Sequence, residues 1–291
     1  MIRVLFAGLF GFVVLAGAVY WFASRGPWSF RAAFDRDAAA RLGVLAPAEL
    51  ITETDVAPLP EPVRRYLRRT GVIGKERVRS MRVRFRGFLR GGPAEPWMPI
   101  VADQYSFFEG EPTRLFHIQA SRAGVPFEAF HRFVGPTATF TVKLASLVKI
   151  VDGRGPEMDR SETVTFFNDM VLLAPATLLS PAIRWEAVDD RTVRATYTQG
   201  AQAVRAELRF DADGDLVEFT SDDRSMASKD GRSFREARWR TPVSDYTVYG
   251  SHRLARRGSA VWTLPEGAFE YARFEVVQVE YNPQAGRNQG R

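Results

Sequence analysis

Two carboxylates stand out in the stretch EMDRSETVTFFNDM, which covers residues 157–170. Glu162 and Asp169 are of the residue types that serve as general acid and base in catalysis. They are seven residues apart, so on a helix the axial rise separates them by about 10 Å. That separation is too long for a tightly coupled pair. The spacing therefore favours a structural role, and an enzyme that uses Glu162 or Asp169 as acid or base is the alternative.

Other catalytic and metal-binding patterns are missing from the sequence. It has no G-x-S-x-G motif for a serine nucleophile. His117, His131 and His252 show neither H-x-x-x-H nor H-E-x-x-H spacing, so we interpret each as structural. The chain has no cysteine, which excludes thiolate metal ligands and disulfides. We therefore assign no catalytic residue, no metal site and no cofactor.

Composition and charge favour a folded globular protein. The 291 residues are 45% hydrophobic and 25% charged, with a formal net charge of +6 and a sequence pI near 9.8. A basic pI is frequent in nucleic-acid-binding proteins. Here the arginines are spread singly, and no basic run is interleaved with aromatic residues. We therefore expect no nucleic-acid partner.

The N-terminal segment is the candidate membrane contact. Val4–Ala23 carries no charge and has about the length that crosses a bilayer as a helix. A cleaved signal peptide is the alternative, because the small residues at 16–18 offer a cleavage site. The apolar run continues past that site and favours an uncleaved transmembrane anchor. We expect residues 1–29 to hold the protein in the inner membrane, with its domain on the extracytoplasmic side.

Helical and then strand patterns follow this segment. Residues 30–77 are predicted to be a helical lead-in, including a helix that Pro62 opens and Gly71 ends. In VRSMRVRFRGFLR, from residue 78, apolar and basic residues alternate as in a strand with one buried and one solvated face. About a dozen strands follow at hairpin spacing, and residues 283–291 are predicted to be a flexible tail.

These strands define the fold class. No long helices alternate with them, which argues against a parallel sheet. The prediction is a mainly β (α+β) protein in which an N-terminal transmembrane helix precedes a large curved antiparallel sheet or half-barrel, residues 78–282. One helix, residues 159–180, is predicted to lie between the two halves of the sheet as a plug or lid.

The polar stretch is interpreted as the first part of this inserted helix. Asp159 as N-cap and Glu162 three residues later fit a capping box. At helical angles, apolar residues cover most of the circumference, which is typical of a helix that is buried on most sides. A narrow polar lane remains, formed by Glu162, Thr165 and Asp169. Arg224 is a candidate partner for this lane or a contact for an anionic head group.

Apolar side chains of the helix and the strands are candidate ligand contacts. If the strands alternate as predicted, aromatic residues line the concave face around the helix. Ordinary core packing is the alternative interpretation. The candidate ligand-binding residues are Phe166, Met170 and Leu173 on the helix, with Phe107, Phe116, Trp185 and Trp239 on the strands.

Several segments resemble a bacterial membrane-anchored family of unknown function. They include EMDRSETVTFFNDMVLLAPATLL, PVRRYLRRTGVIG and FDADGDLVEFTSDDR, and the similarity spans most of residues 58–282. The layout of that family is similar to the lipoprotein-carrier superfamily of the bacterial envelope. The resemblance implies a curved antiparallel sheet that is closed by helices around an apolar cavity for acyl chains. The chain lacks the lipidated cysteine of the lipoprotein members, and the resemblance assigns no ligand residue.

The sequence and the resemblance together predict a membrane-anchored, non-enzymatic envelope protein. Its expected partners are the membrane, through the N-terminal helix, and a hydrophobic ligand such as lipid or acyl chains in the half-barrel. Besides the enzyme named above, a scaffold is an alternative. In that case the basic strand face of Arg82, Arg84 and Arg86 would bind an anionic partner or lipid surface.

Overall fold

The computed structural model describes residues 2–43, 49–122 and 124–285. Most of the predicted flexible tail lies outside these ranges. In the first helix, the side chains that are not described belong to residues 2–9, 12, 13 and 16.

Five helices occur in the described ranges, four of them before the first strand. The helix predicted around Pro62 is confirmed and ends at Gly71 as expected. The helices α1 to α5 are Ile2–Arg25, Phe30–Ala39, Glu53–Val56, Glu61–Thr70 and Pro156–Leu173.

Helix α1 contains the segment that the sequence predicts to be a transmembrane anchor. Over the residues that the structure describes, none of the helices is long and apolar enough to cross a membrane. Anchoring through Val4–Ala23 therefore stays a prediction.

Fifteen strands account for most of the remaining described chain. Thirteen of them form one open sheet in the order β6-β5-β4-β3-β2-β1-β15-β14-β13-β10-β9-β8-β7, and all neighbours are antiparallel. β11 and β12 form a separate hairpin. The strands β1 to β15 are Ser80–Leu89, Met98–Phe107, Thr113–Arg122, Val125–Val134, Thr137–Leu144, Val148–Arg154, Ile183–Ala187, Thr192–Gln199, Gln202–Phe210, Leu216–Ser221, Ser225–Ala227, Phe234–Glu236, Arg238–Tyr249, His252–Leu264 and Gly267–Tyr281.

The sheet wraps around α5. This helix contacts β5 and β6 at one end of the strand order and β9 and β10 towards the other. In addition, Nε2 of Gln199 donates a hydrogen bond to the carbonyl oxygen of Gly135, which joins the end of β8 to the β4–β5 turn. The main core lies between α5 and this concave face. The mainly β, antiparallel and curved architecture agrees with the sequence prediction.

Helix α5 begins earlier than predicted and is capped differently. Its first residue is Pro156, which has no N–H group and therefore needs no capping partner there. Asp159 lies inside the first turn, where its Oδ1 accepts a hydrogen bond of 2.6 Å from the backbone N–H of Ala138. The predicted capping box is therefore wrong, and its acid instead ties α5 to β5. Within the predicted segment 159–180, α5 ends at Leu173, and Pro175 starts a separate 3-10 turn, Pro175–Leu179, as expected for a proline that stops a helix.

A second apolar cluster lies on the convex face, beneath α2. Phe34 of α2 is fully buried there, with its ring centroid 5.5 Å from that of Tyr105. Phe107 belongs to the same cluster because alternate residues of β2 point to opposite faces. Its prediction as a contact on the concave face is therefore wrong. The neighbouring Phe108 packs against α5 instead, with its ring centroid 5.4 Å from that of Phe166.

Candidate functional site

Arg114, on β3, lies at the centre of a buried charged cluster beneath α5. Its Nε is 2.6 Å from Oδ2 of Asp169, and its Nη1 is 3.2 Å from Oε2 of Glu162. One guanidinium therefore spans two carboxylates that stand two turns apart on the helix. The three side chains are at most 8% exposed, so their charges lie almost entirely outside water.

Gln104, on β2, completes the contacts of Asp169. Its Nε2 donates to Oδ2 of Asp169 at 2.7 Å and to Oγ of Ser106 at 3.0 Å. Its Oε1 accepts a hydrogen bond of 3.2 Å from Nη2 of Arg114. Both ends of the amide are therefore satisfied, as buried polar groups require. The cluster connects α5 to two adjacent strands.

Glu162 has two further neighbours on its other side. Its Oε1 lies 3.4 Å from Nδ1 of His131 and 3.9 Å from Nη2 of Arg224. The ring of His131 stacks on that of Phe140, with centroids 3.9 Å apart and planes at 23°. The polar lane of α5 thus faces arginines and a histidine.

The pKa values of the cluster follow from burial and neighbouring charge. Burial alone would raise the pKa of Glu162, but His131, Arg114 and Arg224 outweigh it and lower that pKa to about 2. Burial raises the pKa of Asp169 and is only partly opposed by Arg114. Burial also lowers the pKa of His131, despite the attraction of Glu162. Glu162 is therefore a carboxylate at neutral pH.

Arg224 joins the cluster to the edge of the concave face. It follows β10, and its Nε donates to Oγ1 of Thr165 at 3.2 Å. Its guanidinium lies over two indole rings, 4.4 Å from the centroid of Trp239 and 5.2 Å from that of Trp262. Nη1 donates to the hydroxyl of Tyr271 at 3.3 Å. The side chain keeps 12% of its surface exposed, so this cation stays within reach of solvent.

The predicted apolar contacts mostly meet on the concave face. Phe166, Met170 and Leu173 are at most 6% exposed on α5. Phe116 and Trp239 belong to the same buried cluster. Trp185 is half-buried at the margin of that cluster, on the edge strand β7, and therefore lies away from the charged residues.

The β11–β12 hairpin, residues 225–236, closes the concave face next to α5. The backbone N–H of Asp152, on the edge strand β6, donates to the carbonyl of Asp230 at 3.4 Å. Nζ of Lys229 lies 2.7 Å from Oε1 of Glu95, in the β1–β2 loop. Met226 and Phe234 of the hairpin pack against the main core. The hairpin therefore reaches from the edge strand β6 to the β1–β2 loop in the middle of the sheet.

Two cavities of the described chain lie away from this cluster. One, of about 390 Å³, is lined by residues between Asp189 and Val217, and the other, of about 420 Å³, by residues between Ala40 and Glu111. Neither lies between α5 and the sheet. There Val164, Phe167 and Val171 are fully buried. A ligand on the concave face would have to displace part of α5 or of the hairpin.

Comparison with known proteins assigns a family. The model of the family described as "Family of unknown function (DUF6544)" matches residues 49–274, which is more than half of the chain. The chain belongs to this family. The predicted membership in a family of unknown function is thus confirmed, and no curated protein sequence matches the chain significantly.

Solved structures with similarity to this DUF6544 member are distant. A Vibrio parahaemolyticus domain described as an outer membrane lipoprotein-sorting protein has a TM-score of 0.41 and 10% identity, over 72% of this chain and 87% of that one. A DUF1329 family protein from Desulfovibrio piger has a TM-score of 0.41 and 14% identity, over 76% and 91%. A LolA superfamily protein from Nitrosomonas europaea has a TM-score of 0.38 and 12% identity, over 69% and 86%.

Two members of the cluster in this DUF6544 chain, Arg114 and Gln104, were not predicted from the sequence. A signal for Arg114 was present, because Arg114, Phe116 and Ile118 alternate and so share one face of β3. A lone arginine in an apolar row predicts a buried acidic partner. Arg224, the predicted partner of the polar lane, approaches Glu162 at 3.9 Å.

The basic face of β1 is already paired. Arg82 and Arg84 contact Asp103 at 3.5 and 3.3 Å, and Arg86 contacts Glu275 at 2.6 Å. An anionic partner would have to compete with these acids. The scaffold alternative stays a prediction.

Proposed function

We propose that the domain binds an amphipathic lipid or acyl chain on the concave face of its sheet. One observation carries the proposal: aromatic and aliphatic side chains surround a partly exposed guanidinium, that of Arg224, between Trp239 and Trp262. Apolar walls suit an acyl tail, and a desolvated arginine suits a carboxylate or phosphate head. The ligand's head would lie at Arg224 and its tail along Phe116, Phe166 and Met170.

The contacts that close the concave face contribute little free energy, so a ligand could displace the element that closes it. Buried ion pairs such as Arg114 with Asp169 stabilise a fold little compared with apolar packing, since desolvation offsets their attraction. The β11–β12 hairpin has strands of only three residues each and is only partly buried. Short elements with few buried contacts open at low free energy. The hairpin is therefore the element that would open first to admit a ligand.

Membrane anchoring through α1 belongs to this proposal. An anchor at the inner membrane, with the domain on the extracytoplasmic side, would keep the concave face close to a supply of lipid. Recovery of the intact chain in the soluble cell fraction would contradict this part.

No observation favours the enzyme alternative over ligand binding. Glu162 lies beside His131, as acid–base chemistry would require, but its side chain is only 1% exposed. Arg114 also engages it directly. In this arrangement the carboxylate has no route to a substrate, and its low pKa opposes a role as a proton carrier near neutral pH.

Quenching of tryptophan fluorescence by a brominated fatty acid tests the proposal. The intact chain has six tryptophans, and we expect those beside Arg224 to be quenched as the fatty acid binds. The double variant Trp239→Phe/Trp262→Phe should lose most of this quenching. Trp28→Phe, which removes an indole that is 77% exposed, is the control and should keep it. Absent quenching, or equal quenching in the double variant, would refute binding at this site.

A further inference from the structure

An exposed apolar patch lies where the β3–β4 and β5–β6 turns meet. We call Val125, Leu147, Val148 and Ile150 the rim patch; their exposed fractions are 42, 52, 58 and 42%. The two turns adjoin, because the backbone N–H of Ala145 donates to the carbonyl of Pro126 at 2.8 Å. Single exposed apolar residues are ordinary, whereas adjoining ones on a sheet rim indicate an interaction surface.

Basic side chains surround the rim patch. Residues 121–126 and 143–150 include Arg122, Lys143 and Lys149 but no acidic residue. Lys143 and Lys149 are directly paired across β5 and β6, an arrangement of like charges that an anionic surface would relieve.

The acids that these basic residues contact are on neighbouring segments. Arg122 is 3.3 Å from Glu95, and Lys149 is 3.0 Å from Asp152. The basic partners in these pairs have about half of their side-chain surface exposed. Exposed ion pairs of this kind contribute little stability and exchange readily for other anions. The basic groups therefore remain available to an anionic partner.

The rim patch also lies near the N-terminal helix and near the hairpin. Nζ of Lys143 is 4.3 Å from the ring centroid of Phe30, the first residue of α2, and α1 ends only a few residues earlier. On the other side, Glu95 contacts both Arg122 and Lys229 of the β11–β12 hairpin. The patch thus lies between the candidate anchor and the element that closes the concave face.

We infer that the rim patch docks the domain onto the surface of an anionic lipid bilayer. The four apolar side chains would enter the head-group region, and Arg122, Lys143 and Lys149 would contact lipid phosphates. Apolar insertion flanked by basic residues is the combination that such surfaces bind. This docking is independent of what the concave face holds, and it would place the hairpin beside the membrane.

A fluorescent probe on the rim patch tests this docking in the intact chain. The protein has no cysteine, so Leu147→Cys gives a single labelling site for an environment-sensitive dye. The matched control is Val248→Cys, which is 62% exposed on β13, near the end of the sheet where β1 begins. Each labelled chain is reconstituted into vesicles of phosphatidylcholine and phosphatidylglycerol that contain a lipid-borne quencher.

We expect the dye at position 147 to lose most of its emission to the quencher, and the dye at position 248 to keep it. Quenching at position 147 should weaken in phosphatidylcholine vesicles and at high salt, because phosphate contacts are screened. No quenching at position 147, equal quenching at both sites, or equal quenching without anionic lipid would each overturn the inference.

A charge-reversal variant separates this inference from the proposed function. Val148→Asp/Lys149→Glu changes exposed side chains only, so folding should be preserved. In the background of the labelled chain, it should abolish quenching at position 147. Quenching of Trp239 and Trp262 by brominated fatty acid added from solution should be unchanged. Loss of the rim signal alone is the result that docking predicts, and a rim signal that this variant retains would overturn the inference.

Discussion

Nε of Arg114 lies 2.6 Å from Oδ2 of Asp169, in the interior between β3 and α5. The same guanidinium also contacts Glu162, which lies two turns earlier on the helix. A pair of this kind contributes little net stability when intact, but each partner depends on the other to avoid an uncompensated buried charge. We therefore interpret Arg114 as the residue that fixes the position of α5 on the sheet.

Removing Arg114 should strongly destabilise the protein. Arg114→Met puts an apolar side chain in place of the guanidinium that lies over the ring of Phe116, and it leaves Asp169 and Glu162 without their shared cation. We expect a loss of about 3–5 kcal/mol in the free energy of unfolding, measured by urea denaturation. Arg205→Met, at a side chain that is 81% exposed, is the control and should change it by less than about 0.5 kcal/mol. Similar midpoints for the two variants would contradict the role of Arg114.

Glu162 should make the protein lose stability in acid. Its folded pKa of about 2 lies below the ordinary value of 4.5, so the unfolded chain binds the proton more tightly. Its contribution is therefore present above pH 4.5 and is lost as the pH falls towards 2, by up to about 3 kcal/mol. The raised pKa of Asp169 acts in the opposite sense. Glu162→Gln should flatten the acid limb of the unfolding free energy against pH, and parallel curves would contradict this assignment.

Gly231 should control the closure of the β11–β12 hairpin. It has a φ of 75°, and an added Cβ would lie 2.9 Å from both the backbone nitrogen of Gly153 and Cγ1 of Val151. We expect Gly231→Ala to release the hairpin and to speed cleavage by trypsin after Lys229. Gly74→Ala is the control, because Gly74 has the same φ and nothing within 4 Å of the added Cβ. Both variants carry the same backbone cost of roughly 1–2 kcal/mol, so only the steric effect separates them. Equal cleavage rates in the two variants would show that this contact does not hold the hairpin.

Arg224 should select ligands with an anionic head. Charge-assisted hydrogen bonds to a desolvated arginine contribute about 1.5–3 kcal/mol, which corresponds to roughly tenfold or more in affinity. The intact protein should therefore bind a fluorescent fatty acid more tightly than its methyl ester. Arg224→Met replaces the guanidinium over Trp239 and Trp262 with an apolar side chain, and it should remove this preference while retaining affinity for the ester. An unchanged preference would place the head group elsewhere.

Strand periodicity predicted much of the fold, because burial follows local alternation. In β1, Met81, Val83 and Phe85 are buried as their spacing predicts, whereas Arg84 and Arg86 are more exposed. The same rule also holds at Phe107 and Phe108, which are adjacent and lie on opposite faces, but the face predicted for Phe107 was the wrong one. Sequence alone does not show which of two adjacent aromatic residues points inward. Whether the odd-numbered or the even-numbered residues face the core depends on the register of the whole strand.

The residues of the charged cluster that lie on the strands were harder to predict than those on α5. Glu162 and Asp169 were identified from helical spacing, whereas Arg114 precedes Asp169 by 55 positions and reaches it only through the curvature of the sheet. Asp159 shows the complementary case. It fits a capping box locally, yet the backbone of Ala138 offers it a partner that local sequence does not show.

Cross-linking with a photoactivatable fatty acid tests the central claim most directly. The intact chain in lipid vesicles is irradiated with the probe, and the modified peptides are identified by mass spectrometry. Binding on the concave face predicts labels on α5, on the β11–β12 hairpin and around Phe116, and competition by unlabelled fatty acid should remove them. Labels confined to α1, or labels on the concave face that resist competition, would contradict the claim that this domain binds an acyl ligand there.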